Sequence, residues 1–326
     1  MPTVSVIIPA YNAEKTILET IESLQKQTFT DFEIIVINDG STDSTVELLS
    51  KINDLRLKVY TFPNGGLPVA RNRGIEKATG EFITFIDADD LWTPDKLESQ
   101  VTALQQHPEA GVAYSWTAFI NEHSEYMYAW EPLYHQGNVY PQLLIRNFIS
   151  SGSNLMVRRK FIEAAGRFDS TLKSVEDWDY YLRLAALCPF VLVPKYQILY
   201  RRSSQSMTSK VDVMEKYILI VTERAFQLAP EELKYLKKRS LANSYRFLVQ
   251  LSLAHALDEK GVKQASRNIR KSILFSPPIL LERKTQRLLL KVILMRLLPY
   301  KLSTNISHLL GKVFPSPTTK PITSQS

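Results

Sequence analysis

Three short apolar runs, each ending abruptly in polar residues, constrain this chain most. Val4 to Pro9 reads Val-Ser-Val-Ile-Ile-Pro, Glu33 to Asn38 reads Glu-Ile-Ile-Val-Ile-Asn, and Phe82 to Asp87 reads Phe-Ile-Thr-Phe-Ile-Asp. Such runs suit strands buried on both faces. Between them lie stretches with helical spacing: Ile17, Ile21 and Leu24, then Val46, Leu49 and Ile52, then Pro68 to Ala78. A further strand is expected at Leu57 to Phe62, and a flexible loop at Asn64-Gly65-Gly66. This alternation predicts an α/β architecture, a mostly parallel central sheet flanked by helices. Ligands bind such sheets beyond the carboxyl ends of the strands. Asn12, Asp39 and Asp87 each lie just past such an end, so one shared site is expected rather than three unrelated turns.

The stretch from Phe82 to Trp92 delivers three carboxylates, Asp87, Asp89 and Asp90. If the extended conformation persists, Asp87 and Asp89 point the same way. Carboxylates that close repel unless a cation sits between them. Oxygen ligands suit Mg²⁺ or Mn²⁺, and Mg²⁺ is usually held by one or two carboxylates plus substrate phosphates. An isolated Asp-x-Asp is better read as a solvated strand end, capping a helix with Thr93-Pro94 at its start; the rest of the chain turns that balance. Trp92, Pro94, Leu97, Val101 and Leu104 suggest that this helix is packed.

Four segments in series, Val-Ser-Val-Ile-Ile-Pro-Ala-Tyr-Asn, Asn-Asp-Gly-Ser-Thr-Asp-Ser-Thr, Ala-Arg-Asn-Arg-Gly and Asp-Ala-Asp-Asp, resemble glycosyltransferase family 2. The match covers roughly residues 3 to 207. The resemblance implies the GT-A nucleotide-sugar-binding fold, inversion at the anomeric carbon and a metal-dependent transfer from a nucleoside-diphosphate sugar, expected to be a UDP-sugar. It places Pro9, Ala10, Tyr11 and Asn12 at the nucleobase, with Glu14 nearby, and Asp39 at the base or ribose. Arg71 would face the nucleotide, where its fork suits a phosphate or a carboxylate of the site. Asp89, with Ala88 beside it, would bind Mn²⁺ or Mg²⁺, and Asp87 the ribose or the metal.

Ser174-Val175-Glu176-Asp177-Trp178-Asp179 resembles the family's Glu-Asp motif, whose aspartate is the general base. On that match Asp177 is the base, with Asp179 as the alternative, and Glu176 and Trp178 shape the acceptor site. Read without the resemblance, acids at a helix start are simple capping. Arg201 to Met207 resembles the segment that folds over the donor diphosphate. Many members carry a histidine there; this chain has Ser203 or Ser204, and Arg201 or Arg202 is the candidate phosphate clamp. Tyr126, Tyr128, Trp130, Tyr134 and His135 can stack on sugar rings, but ordinary packing is the favoured reading.

Competing readings are a catalytically inactive sugar-nucleotide-binding protein and a nucleotidyltransferase. The latter should carry a Gly-rich basic loop after the first strand, unlike Pro9-Ala10-Tyr11-Asn12. The acceptor is expected to be a glycan or a lipid-linked group, in polysaccharide or glycoconjugate synthesis.

The charge is unevenly distributed. Residues 1–209 sum to −6 and residues 210–326 to +13. From Val211 the pattern is helical, which predicts a GT-A catalytic domain over 1–209, a basic helical appendage over 210–313 and a disordered tail over 314–326. In Lys284 to Leu298, the basic Lys284, Arg287 and Lys291 share one face and Leu288, Leu289, Val292, Ile293 and Met295 fill much of the rest. That pattern predicts contact of residues 260–313 with an anionic membrane surface; no nucleic-acid motif is present. The single cysteine, Cys188, fits a reducing compartment. With no basic leader before Val4 and no apolar run near the ~20 residues of a span, a cytoplasmic place is expected, peripheral on the inner face of the membrane.

Overall fold

β1 (Val4–Ala10) is buried at every position, as a strand covered on both faces must be. It pairs in parallel with β2 (Phe32–Asn38) on one side and β4 (Phe82–Phe85) on the other. β3 (Leu57–Thr61) extends the sheet beyond β2. The connecting helices are α1 (Ile17–Gln25), α2 (Thr45–Ser50) and α3 (Leu67–Lys77). In the order β3-β2-β1-β4 the chain steps outward from β1 and then crosses back to its other side. Ligands of such sheets bind beyond the carboxyl ends of the strands where the order reverses. The computed structural model describes residues 1–202, 210–255 and 259–297.

Beyond β4 the sheet is mixed. It contains β5 (Leu91–Trp92), β6 (Val112–Ile120), β7 (Tyr126–Ala129), β8 (Met156–Arg158) and β9 (Phe190–Arg201). β8 is antiparallel to both β4 and β6, and β9 runs parallel to β6 and antiparallel to β5. The helices that follow are α4 (Lys96–Gln106), α5 (Tyr140–Ile145), α6 (Arg159–Ala165) and α7 (Glu176–Leu187), of which α5 falls almost wholly in the second compact unit. Trp92, expected in a helix, lies in β5 opposite Ile198. Its indole N–H donates to the Ser153 carbonyl at 2.8 Å, and the helix starts only at Lys96, past Pro94. Ile17, Ile21 and Leu24 of α1 and Leu97, Val101 and Leu104 of α4 join Val6, Ile8, Ile34 and Val36 in one core.

The chain divides into two compact units. The described part of the first, residues 1–140 and 148–202, carries the sheet. The second takes residues 141–147 and the described residues from 210 on. It holds α8 (Val211–Leu228), α9 (Lys237–His255), α10 (Glu259–Phe275) and α11 (Arg283–Leu297). Val249, Leu253, Ala265, Ile269 and Val292 form its core. The inclusion of 141–147 was not legible in the composition. Residues 203–209 and the expected tail 314–326 lie outside the described residues. No helix of the described residues is long and apolar enough to cross a membrane.

Candidate active site

The first turn of the site joins β1 to α1. Asn12 has a positive φ of 49°, which an asparagine tolerates better than most residues. Its side-chain carbonyl accepts the Thr42 N–H at 2.8 Å, and its own N–H donates to Ser41 Oγ at 3.0 Å. Glu14 and the 43–44 turn are tied reciprocally: the Glu14 N–H donates to Asp43 and the Ser44 N–H to Glu14. Asn12 and Glu14 thus fix two strand-end turns to each other. Pro9 and Ala10 are buried within β1, while Tyr11 stands 55% exposed. Of the four residues expected at the nucleobase, Tyr11 and Asn12 are exposed, whereas Pro9 and Ala10 are buried.

Asp39, past β2, is buried, and both its oxygens are engaged. They accept the N–H groups of Gly65 and Gly66, and Arg73 Nη1 donates to Oδ1 at 2.8 Å. The glycine loop expected to be flexible is therefore pinned. Gly66 has φ +88°, the left-handed region that glycine alone enters freely.

α3 is the hub of the site. Arg71, Asn72 and Arg73 each tie down a different segment. Arg73 reaches Asp39. Asn72 exchanges two hydrogen bonds with the backbone of Phe168, at 2.8 and 2.9 Å. Arg71 is buried; it donates from Nη2 to Asp87 Oδ1 at 2.7 Å and from Nη1 to Glu176 Oε1 at 2.8 Å. Of the partners that its fork suits, it has taken carboxylates of the site, and it does not present its two terminal nitrogens to a nucleotide. A Cβ on Gly152 would sit 2.3 Å from Arg71 Nη2, so only glycine lets the guanidinium lie there.

The extended conformation does not persist through the carboxylates. β4 ends at Phe85, and the Asp90 N–H donates to the Asp87 carbonyl at 3.1 Å, closing a turn. Thr16 and Thr20 of α1 hold that turn by donating to the Ala88 carbonyl. Asp90 points inward. It accepts Ser153 Oγ at 2.5 Å and the Arg201 N–H at 2.9 Å, and burial pushes its pKa well up. Asp90 is thus structural, which leaves Asp87 and Asp89 as the candidate pair just past the end of β4. Burial, then the neighbouring Asp87 charge, pushes the Asp89 carboxyl up to about 6.

An acid raised by burial and by the charge of a neighbouring carboxylate fits a divalent cation, which would reverse the sign of that interaction. No group of three or more His, Cys, Asp or Glu able to hold a metal exists among the described residues. A pair is what Mg²⁺ or Mn²⁺ usually takes from protein when phosphates complete its shell. Asp89 and Asp87 would hold such an ion.

α7 begins at strained backbone. Val175, a β-branched residue, has φ +54°, a conformation that persists only where its surroundings fix it. Glu176 is buried against Arg71 and Trp178 is buried as well, so neither presents an open face to an acceptor. Asp177 accepts the Trp178 N–H at 2.7 Å. Burial, and then Glu176, raise its pKa to about 7, against the pull of Arg71 and that N–H. Asp179 is bound by the Arg183 guanidinium at 2.9 and 3.0 Å. Tyr181 donates to the Ser151 carbonyl at 2.8 Å; its pKa is raised by burial and then by Asp177.

Arg201, a candidate phosphate clamp, is consumed by structure. It donates from Nε to the Asp89 carbonyl at 2.7 Å and from Nη2 to Glu19 at 2.7 Å. Ser203 to Met207 lie outside the described residues. Most of the aromatic group pack on β6: Tyr128 stacks on Phe119 at 4.6 Å, and Trp130 lies 5.8 Å from it. The places of Arg73 and Tyr181 in the site were not foreseen from the sequence. Arg73 alone left a signal, two residues from Arg71 in the same motif.

A sheet ordered this way, with strand-end carboxylates and an acid-led helix facing them, is the GT-A nucleotide-sugar fold. The chain belongs to glycosyltransferase-like family 2, whose model matches residues 5–250. It is 28% identical over 244 residues to the chondroitin synthase of Escherichia coli, covering 72% of this chain and 34% of that protein. The first curated relative, a Rickettsia felis protein named an uncharacterized glycosyltransferase, is 36% identical over 186 residues, 56% of this chain; the match spans 30% of that relative's length. Among solved structures, a mannosyltransferase of Pyrobaculum calidifontis in complex with GDP-Man and Mn²⁺ superposes with TM-score 0.59 at 19% identity, over 96% of this chain and 87% of that one. S. aureus TarS 1–349 in complex with UDP-GlcNAc superposes with TM-score 0.54 at 20% identity, over 85% and 91%.

Proposed function

We propose that the protein transfers a sugar from a nucleoside-diphosphate sugar, a UDP-sugar, to an acceptor hydroxyl with inversion, in polysaccharide or glycoconjugate synthesis. The observation that carries this reading is one chain of contacts. Asp177, held near neutrality, neighbours Glu176, and Arg71 joins Glu176 to Asp87 at the strand ends. β2 and β4 flank β1, so their ends stand about 10 Å apart. That span suits a nucleoside beside Tyr11 and Asp39 with its diphosphate beside Asp87 and Asp89.

Asp177 takes the proton from the acceptor hydroxyl as its oxygen attacks the anomeric carbon, and the nucleoside diphosphate leaves from the opposite face. A pKa near the working pH suits that role. Asp179 is a poorer base because its carboxylate is already bound by Arg183. Mn²⁺ or Mg²⁺, held by Asp89 and Asp87, would neutralise the charge of the leaving diphosphate. Arg71 keeps Asp87 and Glu176 in register, and holding donor and acceptor in line makes the encounter a positioned step. The E. coli relative's name, chondroitin synthase, supports a polysaccharide setting, and the UDP-GlcNAc and GDP-Man complexes of the structural neighbours support a nucleotide-sugar donor.

The test is release of nucleoside diphosphate from a panel of UDP- and GDP-sugars with Mn²⁺ or Mg²⁺, with and without glycan acceptors. Turnover of a UDP-sugar that Asp177→Asn abolishes is expected. Metal-dependent binding without turnover on any acceptor would favour an inactive sugar-nucleotide-binding protein, and no binding at all would end the reading.

A further inference from the structure

Tyr200 takes no part in the transfer as described, yet its backbone is fastened beside the carboxylate turn. Leu199, before it on β9, pairs with Leu91 of β5. Arg201, after it, donates its N–H to Asp90 and its Nε to the Asp89 carbonyl. The ring is fastened as well. Tyr200 pairs with Phe119 across the parallel strands β9 and β6, and the two rings meet edge to face at 5.5 Å. A side chain locked in this way holds its polar end in one place.

The hydroxyl at that end is not spent on the sheet. Tyr114, Tyr181 and Tyr196 donate to the carbonyls of His135, Ser151 and Trp130. The Tyr200 hydroxyl bonds to none of the described residues, although the residue is half-buried. A polar group so placed without a partner needs a reason. Burial, and then the charges of Asp90, Asp89, Asp87 and Asp177, hold its pKa well up, so it is a neutral O–H that can donate and accept. It lies within electrostatic reach of the strand-end acids and of Asp177 together. On the sugar-transfer reading, the diphosphate occupies the first place and the acceptor oxygen the second. The group between them is the transferred sugar. Sugar hydroxyls both donate and accept, and a phenol can meet either need.

We propose that the Tyr200 hydroxyl is a specificity-determining contact to the transferred sugar, hydrogen-bonded to one of its hydroxyls. The inference rests on the sugar-transfer reading. Tyr200→Phe keeps the ring against Phe119 and removes one oxygen. Calorimetry with Mn²⁺ compares UDP with the UDP-sugar that the wild type binds, on wild type and variant. Affinity for the UDP-sugar is expected to fall about tenfold while that for UDP stays within about twofold, with the melting temperature unchanged. Analogues of that sugar lacking one hydroxyl each give a second measurement. The analogue without the contacted hydroxyl should bind wild type and variant alike. Equal losses for UDP and the UDP-sugar would put the hydroxyl on the diphosphate or in the fold, and overturn the proposal. So would unchanged affinity for both, or a loss on mutation with every analogue. A wild type that binds no UDP-sugar would end the sugar-transfer reading and this contact with it, whereas an active wild type without the selective loss ends the contact alone.

Discussion

Arg71 and Glu176, 105 residues apart in the chain, meet through a charge-assisted hydrogen bond of 2.8 Å, and the same guanidinium holds Asp87. One buried cation therefore sets the distance between the strand-end acids and the start of α7. Truncating one member of a buried ion pair costs about 3–5 kcal/mol, because the partner stays buried and uncompensated. Arg71→Gln leaves two such partners, so a loss of at least that order is expected in chemical denaturation. Arg71 also pulls the Asp177 pKa down. The pH–rate limb of Arg71→Lys, which keeps the charge, should stay nearer the wild type than that of Arg71→Gln, which should move to higher pH. Identical limbs in the two variants would reduce Arg71 to packing.

Asp177 gives a paired prediction. As the base it must be ionised, so kcat/KM should rise with pH to a plateau above about 7. Asp177→Asn should lower turnover about 10²–10⁴-fold and remove that limb. Stability should move the other way. The folded pKa lies above the unfolded one, so between about 4 and 7 the native state binds the extra proton and wild-type stability falls as pH rises. Asp177→Asn lacks this loss. Its melting temperature, measured without metal or donor, should exceed the wild type's most above pH 7; an equal pH dependence in the two proteins would contradict the burial of the carboxyl.

The donor side separates two aspartates. Asp89→Ala should abolish the metal-dependent part of nucleoside-diphosphate binding. Asp39→Ala should weaken binding with or without metal, since it frees the 65–66 loop. In the wild type, Mn²⁺ affinity should fall below pH 6, where Asp89 takes up its proton. Calorimetry with UDP across that range reads all three, and full metal-dependent affinity in Asp89→Ala would remove it from the metal site.

The parallel strands and their polar ends were legible because buried runs and helical spacing are local signals. β1, β2 and β4 fall where Val4–Pro9, Glu33–Asn38 and Phe82–Asp87 predict them. The antiparallel half was not, since the pairing of β8 with β4 depends on contacts some 70 residues apart. Within the site, residue types were readable and partners were not. Nothing local distinguishes Asp90, turned inward to Ser153, from Asp89 beside it. Nor does anything in Ala-Arg-Asn-Arg tell which arginine reaches which acid. Such choices are made by burial and by geometry across segments.

Lys96 tests how well the core beneath the site is understood. It is buried on α4, its Nζ donates to the Thr84 hydroxyl at 2.7 Å, and the Trp92 ring lies 3.6 Å from it. Burial pushes its pKa well down. The ring face returns about 2 kcal/mol to the ammonium form, less than the several kcal/mol that desolvating an ion costs, so a neutral native-state amine is expected. The unfolded chain then binds one more proton than the native state below about pH 10, and stability rises with pH over that window. Lys96→Met keeps the length and the contact with Trp92 and has nothing to protonate. It should therefore be more stable than the wild type at pH 7, with the gain shrinking as pH approaches 10. A loss of stability at pH 7 would mean that the amine is charged and that Trp92 and Thr84 are sufficient to hold it.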